Sequence, residues 1–190
     1  MKTKTKIAVF ASGNGSNFQA IADAITAGNL EADLMLVVTD KPQAFVVERA
    51  KKLGVASFSF IPSDYDSKQS YEEMIKEKLQ AHGVEWVVLA GYMRLIGPVL
   101  LEAYENRIVN IHPSVLPAFP GKDAIGQTLA AGAEQAGVTV HYVDAGMDTG
   151  SIIAQQSFPV LGRGREEVEQ QIHQIEHELY PATLQQLFGR

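Results

Sequence analysis

Asn110 and His112 are the residues whose types and spacing most directly suggest chemistry. They stand two apart at the end of the apolar stretch RIVNIH, and Pro113, Pro117 and Pro120 follow them. Side chains at positions i and i+2 of a strand point to the same face, so an amide and an imidazole would lie side by side. Two preorganised donors of this kind can stabilise a developing oxyanion. A polar strand end with a hydrogen-bonded histidine is the alternative, and the spacing alone leaves it open.

Asp148 is the carboxylate that we select as the partner of this histidine. It lies in DAGMDTG, residues 144–150, a glycine-containing loop that follows another predicted strand. An aspartate beside an imidazole fixes the tautomer of the ring and favours its protonated form. Because Asp148 is distant from His112 along the chain, their contact is a hypothesis at this point.

A second glycine-containing loop, SGNGSN at residues 12–17, connects the first predicted strand to the first predicted helix. Glycine lets the backbone turn sharply, and a helix N-terminus offers free N–H groups and a partial positive charge to a phosphate. Ser16 and Gln19 also fit a capping box. The loop lacks the third glycine of a dinucleotide fingerprint and the lysine of a P-loop, so it favours a phosphate monoester. An ordinary strand–helix turn capped by serine is equally compatible with it.

Strands and helices alternate along the chain. Strands are predicted at residues 6–11, 34–38, 55–60, 86–93, 107–112, 138–143 and 151–160, and helices at 16–27, 46–53, 70–82, 98–104, 122–132 and 166–187, the last interrupted near Pro181. This alternation predicts an α/β fold: a single domain, residues 1–190, with a mostly parallel, twisted sheet and helices on both faces. Ligands bind such sheets outside the carboxyl ends of the strands, where residues 11–16, 91–96 and 110–112 lie.

The composition limits the classes of partner. The 190 residues include no cysteine, which excludes disulfides, thiolate metal sites and a cysteine nucleophile and fits a reducing, cytoplasmic environment. The longest uncharged apolar run, residues 86–93, is too short to cross a bilayer, so no membrane association is expected. A net charge of −6 without a basic cluster argues against nucleic acid. Small-molecule substrates are the expected partners, and the oligomeric state has no signal in the sequence.

Five segments together resemble the phosphoribosylglycinamide formyltransferase family, the folate-dependent transformylases of purine synthesis. They are ASGNGSNFQAI, LAGYMRLI, NIHPSVLPAFPG, GVTVHYVDAGMDTG and HQIEHELYP, in that family's order and spacing. The resemblance extends over nearly the whole chain and implies a Rossmann-like formyltransferase fold. It also implies the reaction, transfer of a formyl group from the cosubstrate 10-formyltetrahydrofolate to the primary amine of glycinamide ribonucleotide, with no metal involved.

The resemblance implies roles for individual residues of this chain. Three would be catalytic: Asn110, His112 and Asp148. The substrate phosphate would be held by four residues, Gly15, Ser16, Asn17 and Phe18. Glu176 would contact the glycinamide end of the substrate. The folate-binding residues would be Lys68, Met93, Arg94, Leu95, Ile96 and Asn110.

Three positions depart from that family's pattern. Lys68 stands where relatives have arginine, so it keeps the charge but loses the planar guanidinium fork. Ala145 stands where an acidic residue is common in the folate-side loop, and Ser151 replaces a proline that is common after DTG. Folate affinity and the rigidity of that loop are the properties that these changes would affect.

Other functions compete with this one. A hydrolase that releases formate from the same folate shares the Asn-x-His core, but it should lack the phosphate-binding glycine loop. The enzyme that formylates methionyl-tRNA resembles a longer chain, and the acidic surface argues against tRNA. A metabolite-binding protein without turnover would not need Asn110, His112 and Asp148 together.

The segment HQIEH, residues 173–177, matches an inverted zinc-protease motif. On a helix His173 and His177 would lie one turn apart, close enough to share a metal. A polar face of the last helix explains these residues more simply, so we expect no metal site. His141 alternates with apolar neighbours on its strand, and a hydrogen-bonded core histidine and a group near the site are equally compatible with that pattern.

Overall fold

The computed structural model describes residues 2–189, so Met1 and Arg190 of the predicted domain lie outside the described range. The described strands are β1 (Thr5–Phe10), β2 (Ala32–Thr39), β3 (Ser57–Ser59), β4 (Trp86–Leu89), β5 (Ile108–His112), β6 (Gln135–Tyr142) and β7 (Ile152–Pro159). The described α-helices are α1 (Ser16–Thr26), α2 (Phe45–Lys52), α3 (Lys68–Ala81), α4 (Pro98–Ala103), α5 (Ala124–Ala130) and α6 (Arg165–Phe188). Each predicted strand and helix is present, with bounds that differ by a few residues.

The strands form one sheet in the order β3–β2–β1–β4–β5–β6–β7. The pairs from β3 to β5 are parallel, and β6 and β7 are added antiparallel. The prediction of a mostly parallel sheet is therefore confirmed. Because the strand order reverses between β1 and β4, their carboxyl ends form the crevice at which such sheets bind ligands.

Helices cover both faces of this sheet, as predicted. One face packs against α1, α2, α5 and α6, with Val9 of β1 in that core. The other face packs against α3 and α4, with Phe10 in the second core. Both residues are fully buried although they point in opposite directions, which is why a parallel strand reads as a continuous apolar run.

Two local predictions are wrong. Helix α6 is not interrupted but continues through Pro181, because Tyr180 and Leu184 on either side are completely buried and their packing offsets the missing backbone hydrogen bond. The capping box at Ser16 is also absent. Gly15 is the N-cap of α1, with a left-handed φ of 79° and no side-chain cap, and Ser16 is already the first helical residue.

Candidate active site

A cleft of about 560 Å³ opens at the carboxyl ends of β1, β4 and β5. Its walls come from residues 13–17, 89–96, 110–113 and 121–125, parts of the 141–149 segment, and His173 and Glu176 of α6. Most of the residues predicted to form the site therefore share one cavity. Lys68 and Phe18 are the exceptions, because neither lines it.

His112 at the end of β5 has a protein partner at each ring nitrogen. Its Nε2 lies 2.9 Å from the carbonyl oxygen of Phe119, and because a carbonyl can accept but not donate, Nε2 carries a hydrogen. Its Nδ1 lies 3.5 Å from Oδ2 of Asp148. A neutral ring thus presents a bare Nδ1 to the carboxylate, and a protonated ring presents an N–H. The fold brings together the histidine and the aspartate that the sequence left apart.

His141 on β6 stands directly opposite Asn110 in the β5–β6 pairing. Its Nδ1 lies 2.8 Å from the carbonyl oxygen of Tyr142 and donates to it. Its Nε2 lies 3.3 Å from Nδ2 of Asn110 and 3.6 Å from Oδ1 of Asp148. The side chain is buried. Of the two interpretations left open for His141, the contacts support a group that adjoins the site.

Asp148 is held in a left-handed backbone conformation, φ 56°, that few residues other than glycine adopt. Its Oδ2 accepts the N–H of Gly121 at 2.8 Å. Burial raises the pKa of the Asp148 carboxyl, but the nearby His141 ring, the N–H of Gly121 and the charge of His112 outweigh burial, so the pKa lies below its ordinary value. The group is therefore ionised at neutral pH and can stabilise an imidazolium ion.

The loop that carries Asp148 is closed by the side chain of Asp144. Oδ1 of Asp144 accepts the N–H of Gly146 at 2.9 Å and the hydroxyl of Thr149 at 2.6 Å. The hydrogen bonds to Thr149 and Gly146 keep the pKa of Asp144 low. These contacts hold the loop in the turn that aims Asp148 at β5.

The glycine loop presents the N-terminus of α1 to the cleft. The first i→i−4 bond of this helix runs from the N–H of Gln19 to the carbonyl of Gly15, at 2.9 Å. The N–H groups of Ser16, Asn17 and Phe18 precede that bond, so the helix itself leaves them available for an anion. The side chain of Phe18 is fully buried in the core, which limits its contribution to the backbone N–H.

The far side of the glycine loop is supported by Arg49 of α2. Its Nε donates to the carbonyl of Asn14 at 2.8 Å, and its Nη2 donates to Oδ1 of the same residue at 2.7 Å. The guanidinium adds positive charge next to the loop as well as rigidity. Arg49 was not predicted as a site residue, because no sequence motif surrounds it.

Glu176 joins α6 to the substrate side of the cleft. Its Oε2 accepts from Nδ2 of Asn17 at 2.7 Å, and its Oε1 lies 3.2 Å from Nδ1 of His173. That hydrogen bond to Glu176 raises the pKa of His173. The amide nitrogen of Asn17 points to Glu176, so the amide oxygen of Asn17 points away from it. That oxygen, Oδ1, is buried without a hydrogen-bond partner.

The predicted folate-binding segment, residues 93–96, forms the opposite wall. Met93 is 69% exposed and Leu95 49% exposed, and Met147 across the cleft is 50% exposed. Lys68 lies behind this wall, where its Nζ donates to the carbonyl of Leu95 at 2.8 Å. Lys68 thus supports the segment from outside the cleft in this structure.

The described residues contain neither a candidate metal-ligand cluster nor a candidate membrane-crossing helix. No group of three or more histidine, cysteine, aspartate or glutamate side chains within residues 2–189 could hold a metal ion. Over that same stretch, no helix combines the length and apolar character that crossing a bilayer requires. In the H-x-x-E-H segment, the carboxylate of Glu176 is engaged by Asn17 and His173.

Comparison with known proteins gives one consistent result. The family model described as formyl transferase matches residues 5–184. Phosphoribosylglycinamide formyltransferase of Bacillus subtilis (strain 168) is 54% identical over 185 residues, which cover 97% of this chain and 95% of that protein. The protein of the same name from Escherichia coli (strain K12) is 36% identical over 179 residues, 94% of this chain and 84% of that one. The crystal structure of glycinamide ribonucleotide transformylase 1 from Geobacillus kaustophilus superposes with a TM-score of 0.95 at 57% identity, covering 97% of this chain and 99% of that chain.

Proposed function

The chain belongs to the formyl transferase family, and from that premise we infer that it transfers a formyl group from 10-formyltetrahydrofolate to the primary amine of glycinamide ribonucleotide. The products are formylglycinamide ribonucleotide and tetrahydrofolate, in a step of purine biosynthesis. The likeness to solved transformylases extends over nearly the whole chain, and the fold is the Rossmann-like one of these enzymes. The hydrolase and the protein without turnover are not favoured, since the relatives are named as transferases.

The convergence of Asn110, His112 and Asp148 on one cleft is the observation that supports our assignment of the catalytic residues. When the amine attacks the formyl carbon, negative charge develops on the formyl oxygen. Asn110 and a protonated His112 would donate hydrogen bonds to that oxygen. Because Nε2 of His112 is bonded to the carbonyl of Phe119 at 2.9 Å, we propose that the formyl oxygen competes with this carbonyl for the N–H.

Asp148 would serve the charge and proton requirements of the transfer. The ionised carboxylate lies 3.5 Å from Nδ1 of His112 and would stabilise positive charge on the ring during the transfer. A carbon–nitrogen bond forms to the attacking amine and another breaks at the folate. The amine loses a proton and the leaving folate nitrogen gains one. We propose that Asp148, through a water molecule, passes this proton from the amine to the folate nitrogen.

The two ends of the cleft fit the two substrates. At one end, the helix N–H groups of residues 16–18 suit the substrate phosphate, and Asn17 and Glu176 would contact its glycinamide portion. At the other end, the exposed apolar side chains of Met93, Leu95 and Met147 suit a flat ring system. The cosubstrate supplies the formyl group, and the residues of this wall bind and orient it.

Steady-state transfer assays test this proposal. Purified protein is mixed with 10-formyltetrahydrofolate, with and without glycinamide ribonucleotide, and release of tetrahydrofolate is followed by absorbance. Release that requires the ribonucleotide is expected. Equal release without it would instead indicate a hydrolase, and no release in either mixture would indicate a binding protein.

The variant His112→Ala tests the catalytic assignment, because loss of one such donor lowers kcat by about 10²–10³. His82→Ala is the matched control, since His82 ends α3 away from the cleft and contacts the carbonyl of Lys78. Near wild-type turnover by His112→Ala would overturn the assignment.

We also propose that residues 1–190 form a single formyltransferase domain, supported by the one continuous sheet. A cytoplasmic location and a lack of nucleic-acid partners are further proposals. The phosphorylated substrate supports the cytoplasmic location. The net charge of −6 supports the lack of nucleic-acid partners. Cell fractionation and a filter-binding assay with RNA would test them.

A further inference from the structure

The carboxylate of Asp40 lies behind the wall of the cleft and contacts both of its substrate loops. Asp40 follows β2, and its side chain is 3% exposed. Oδ1 accepts the hydroxyl of Ser12, in the glycine loop, at 2.6 Å. Oδ2 accepts Nε of Arg94, in the folate-side segment, at 3.0 Å. One buried carboxylate therefore joins two loops that are far apart in the sequence.

Ser12 extends this connection to the backbone of the folate-side segment. Its Oγ donates to Asp40 and accepts the N–H of Met93 at 2.9 Å. The N–H of Ser12 donates to the carbonyl of Gly91 at 3.0 Å. Asp40 thus orients the hydroxyl of Ser12, which in turn accepts the backbone N–H of Met93. Asp40 also holds the side chain of Arg94 by a direct hydrogen bond.

The topology explains why such a connection is needed. After β1 the chain turns to α1 on one face of the sheet, and after β4 it turns to α4 on the other face. The two loops diverge at the point where the strand order reverses, so beyond the backbone bond between Ser12 and Gly91 strand pairing no longer constrains their separation. A polar group at the end of the neighbouring strand β2 can fix that separation, and Asp40 occupies this place.

Burying the Asp40 carboxylate removes it from water, and the lost hydration energy must be offset by other interactions. A buried carboxylate requires hydrogen bonds and a compensating cation. Arg94, the cation that Asp40 contacts, lines the cleft and is 39% exposed. The ion pair therefore ties a buried anion to a residue of the ligand surface.

We propose that Asp40 is a positioning residue that holds the glycine loop and the folate-side segment at the separation both substrates require. The inference rests on the proposed function. It assigns to Asp40 no contact with either substrate. Its effect passes through Ser12 and Arg94, so removing the carboxylate should weaken binding of both substrates while leaving the reacting groups on β5 intact.

Kinetics of Asp40→Ala and Asp40→Asn test this proposal. For Asp40→Ala we expect the KM for 10-formyltetrahydrofolate to rise about tenfold and the KM for glycinamide ribonucleotide to rise several-fold, with kcat per folded molecule within about twofold of wild type. Asp40→Asn keeps the shape and one acceptor atom, so its KM values should lie between those of wild type and Asp40→Ala. Asp64→Asn, an exposed aspartate outside the cleft, is the matched control and should behave as wild type.

A merely structural role would give a different pattern. Destabilisation without mispositioning reduces the folded fraction, which lowers apparent kcat and leaves both KM values unchanged. Thermal unfolding of each variant measures that fraction, and Asp40→Asn serves if Asp40→Ala does not fold. Unchanged KM values in folded Asp40→Asn and Asp40→Ala, or in Asp40→Asn alone if only it folds, would overturn the inference. Absence of transfer by the wild-type protein would instead overturn the proposed function.

A double-variant cycle with Ser12→Ala tests the route. If Asp40 acts partly through the hydroxyl of Ser12, the rise in the KM for 10-formyltetrahydrofolate in the double variant should be smaller than the product of the two single effects. A rise equal to the product would mean that the two residues act independently, and the proposed connection through Ser12 would be wrong.

Discussion

The amide of Asn110 and the imidazole of His141 meet across the β5–β6 pairing, with Nδ2 and Nε2 3.3 Å apart. His141 also lies 3.6 Å from the carboxylate of Asp148, so one buried ring contacts two of the proposed catalytic residues. We expect His141→Ala to lower kcat about tenfold, the equivalent of one lost hydrogen bond, and to change both KM values less. Steady-state kinetics on the folded variant checks this, and an unchanged kcat would show that the ring has no share in aligning Asn110 and Asp148.

Gly15 is required by the shape of the phosphate loop. Its φ is +79°, and an added Cβ would lie 2.7 Å from Cγ2 of Val46. We expect Gly15→Ala to lower the free energy of unfolding by about 1–2 kcal/mol from the left-handed conformation alone, and to raise the KM for glycinamide ribonucleotide.

Gly13→Ala is the matched control for that variant, because an added Cβ there meets no atom within 4 Å. Chemical denaturation should give Gly13→Ala a stability close to that of wild type. Equal losses in the two variants would contradict the role assigned to the Gly15 conformation.

Tyr180 of α6 connects two central strands, β4 and β5. Its hydroxyl lies 2.7 Å from the carbonyl oxygen of Leu89 and 3.3 Å from that of Val109, which precedes Asn110. Burial raises the pKa of Tyr180 far above its ordinary value, so the hydroxyl keeps its proton. Tyr180→Phe should reduce the free energy of unfolding by about 1–2 kcal/mol, because buried carbonyls lose a donor. Denaturant titration measures this, with the partly exposed Tyr65→Phe as a control that should change little.

The buried carboxyl of Glu72 should make the stability of the protein depend on pH. This buried carboxyl accepts the N–H of Gly97 at 2.7 Å through Oε2, and Oε1 has no hydrogen-bond partner. Burial raises the pKa of Glu72 above its ordinary value of 4.5, against the opposing effects of the backbone N–H groups of Gly97 and Leu100 and the charge of Lys68. The folded state therefore binds this proton more tightly than the unfolded state does. Its contribution to stability is complete below pH 4.5 and is lost as the pH rises through the folded-state pKa.

The variant Glu72→Gln removes that titration. The stability of wild type relative to Glu72→Gln should fall as the pH is raised from about 4.5 towards neutrality, as measured by denaturation at a series of pH values. Glu73→Gln on the exposed side of α3 should keep the wild-type pH profile. A difference between wild type and Glu72→Gln that stays constant with pH would contradict the prediction.

Local patterns in the sequence predicted much of this structure. Asn110 and His112 share a side of β5 because the i,i+2 spacing is a property of any strand, and the apolar runs located the strands. Helix caps and breaks were harder to predict, since the N-cap of α1 depends on the backbone conformation of Gly15 and the continuity of α6 depends on packing around Tyr180.

Contacts between distant segments could not be predicted in this way. The meeting of Asp148 with His112 requires the antiparallel addition of β6 and β7, which the periodicity of the strands does not reveal. Asp40 bonds with residues 28 and 54 positions away and has no motif around it. Its one sequence signal is a carboxylate immediately after an apolar strand.

The left-handed backbone of Asp148 has a consequence for protein engineering. A φ of 56° costs a residue with a Cβ about 1–2 kcal/mol that glycine does not incur. Glycine at position 148 would avoid that cost but would also remove the carboxylate that accepts the N–H of Gly121. Among substitutions that delete the carboxylate, glycine should therefore be the one that the fold tolerates best. A library ranked by thermal resistance would place glycine above the other replacements, whereas a library ranked by turnover would retain only the aspartate.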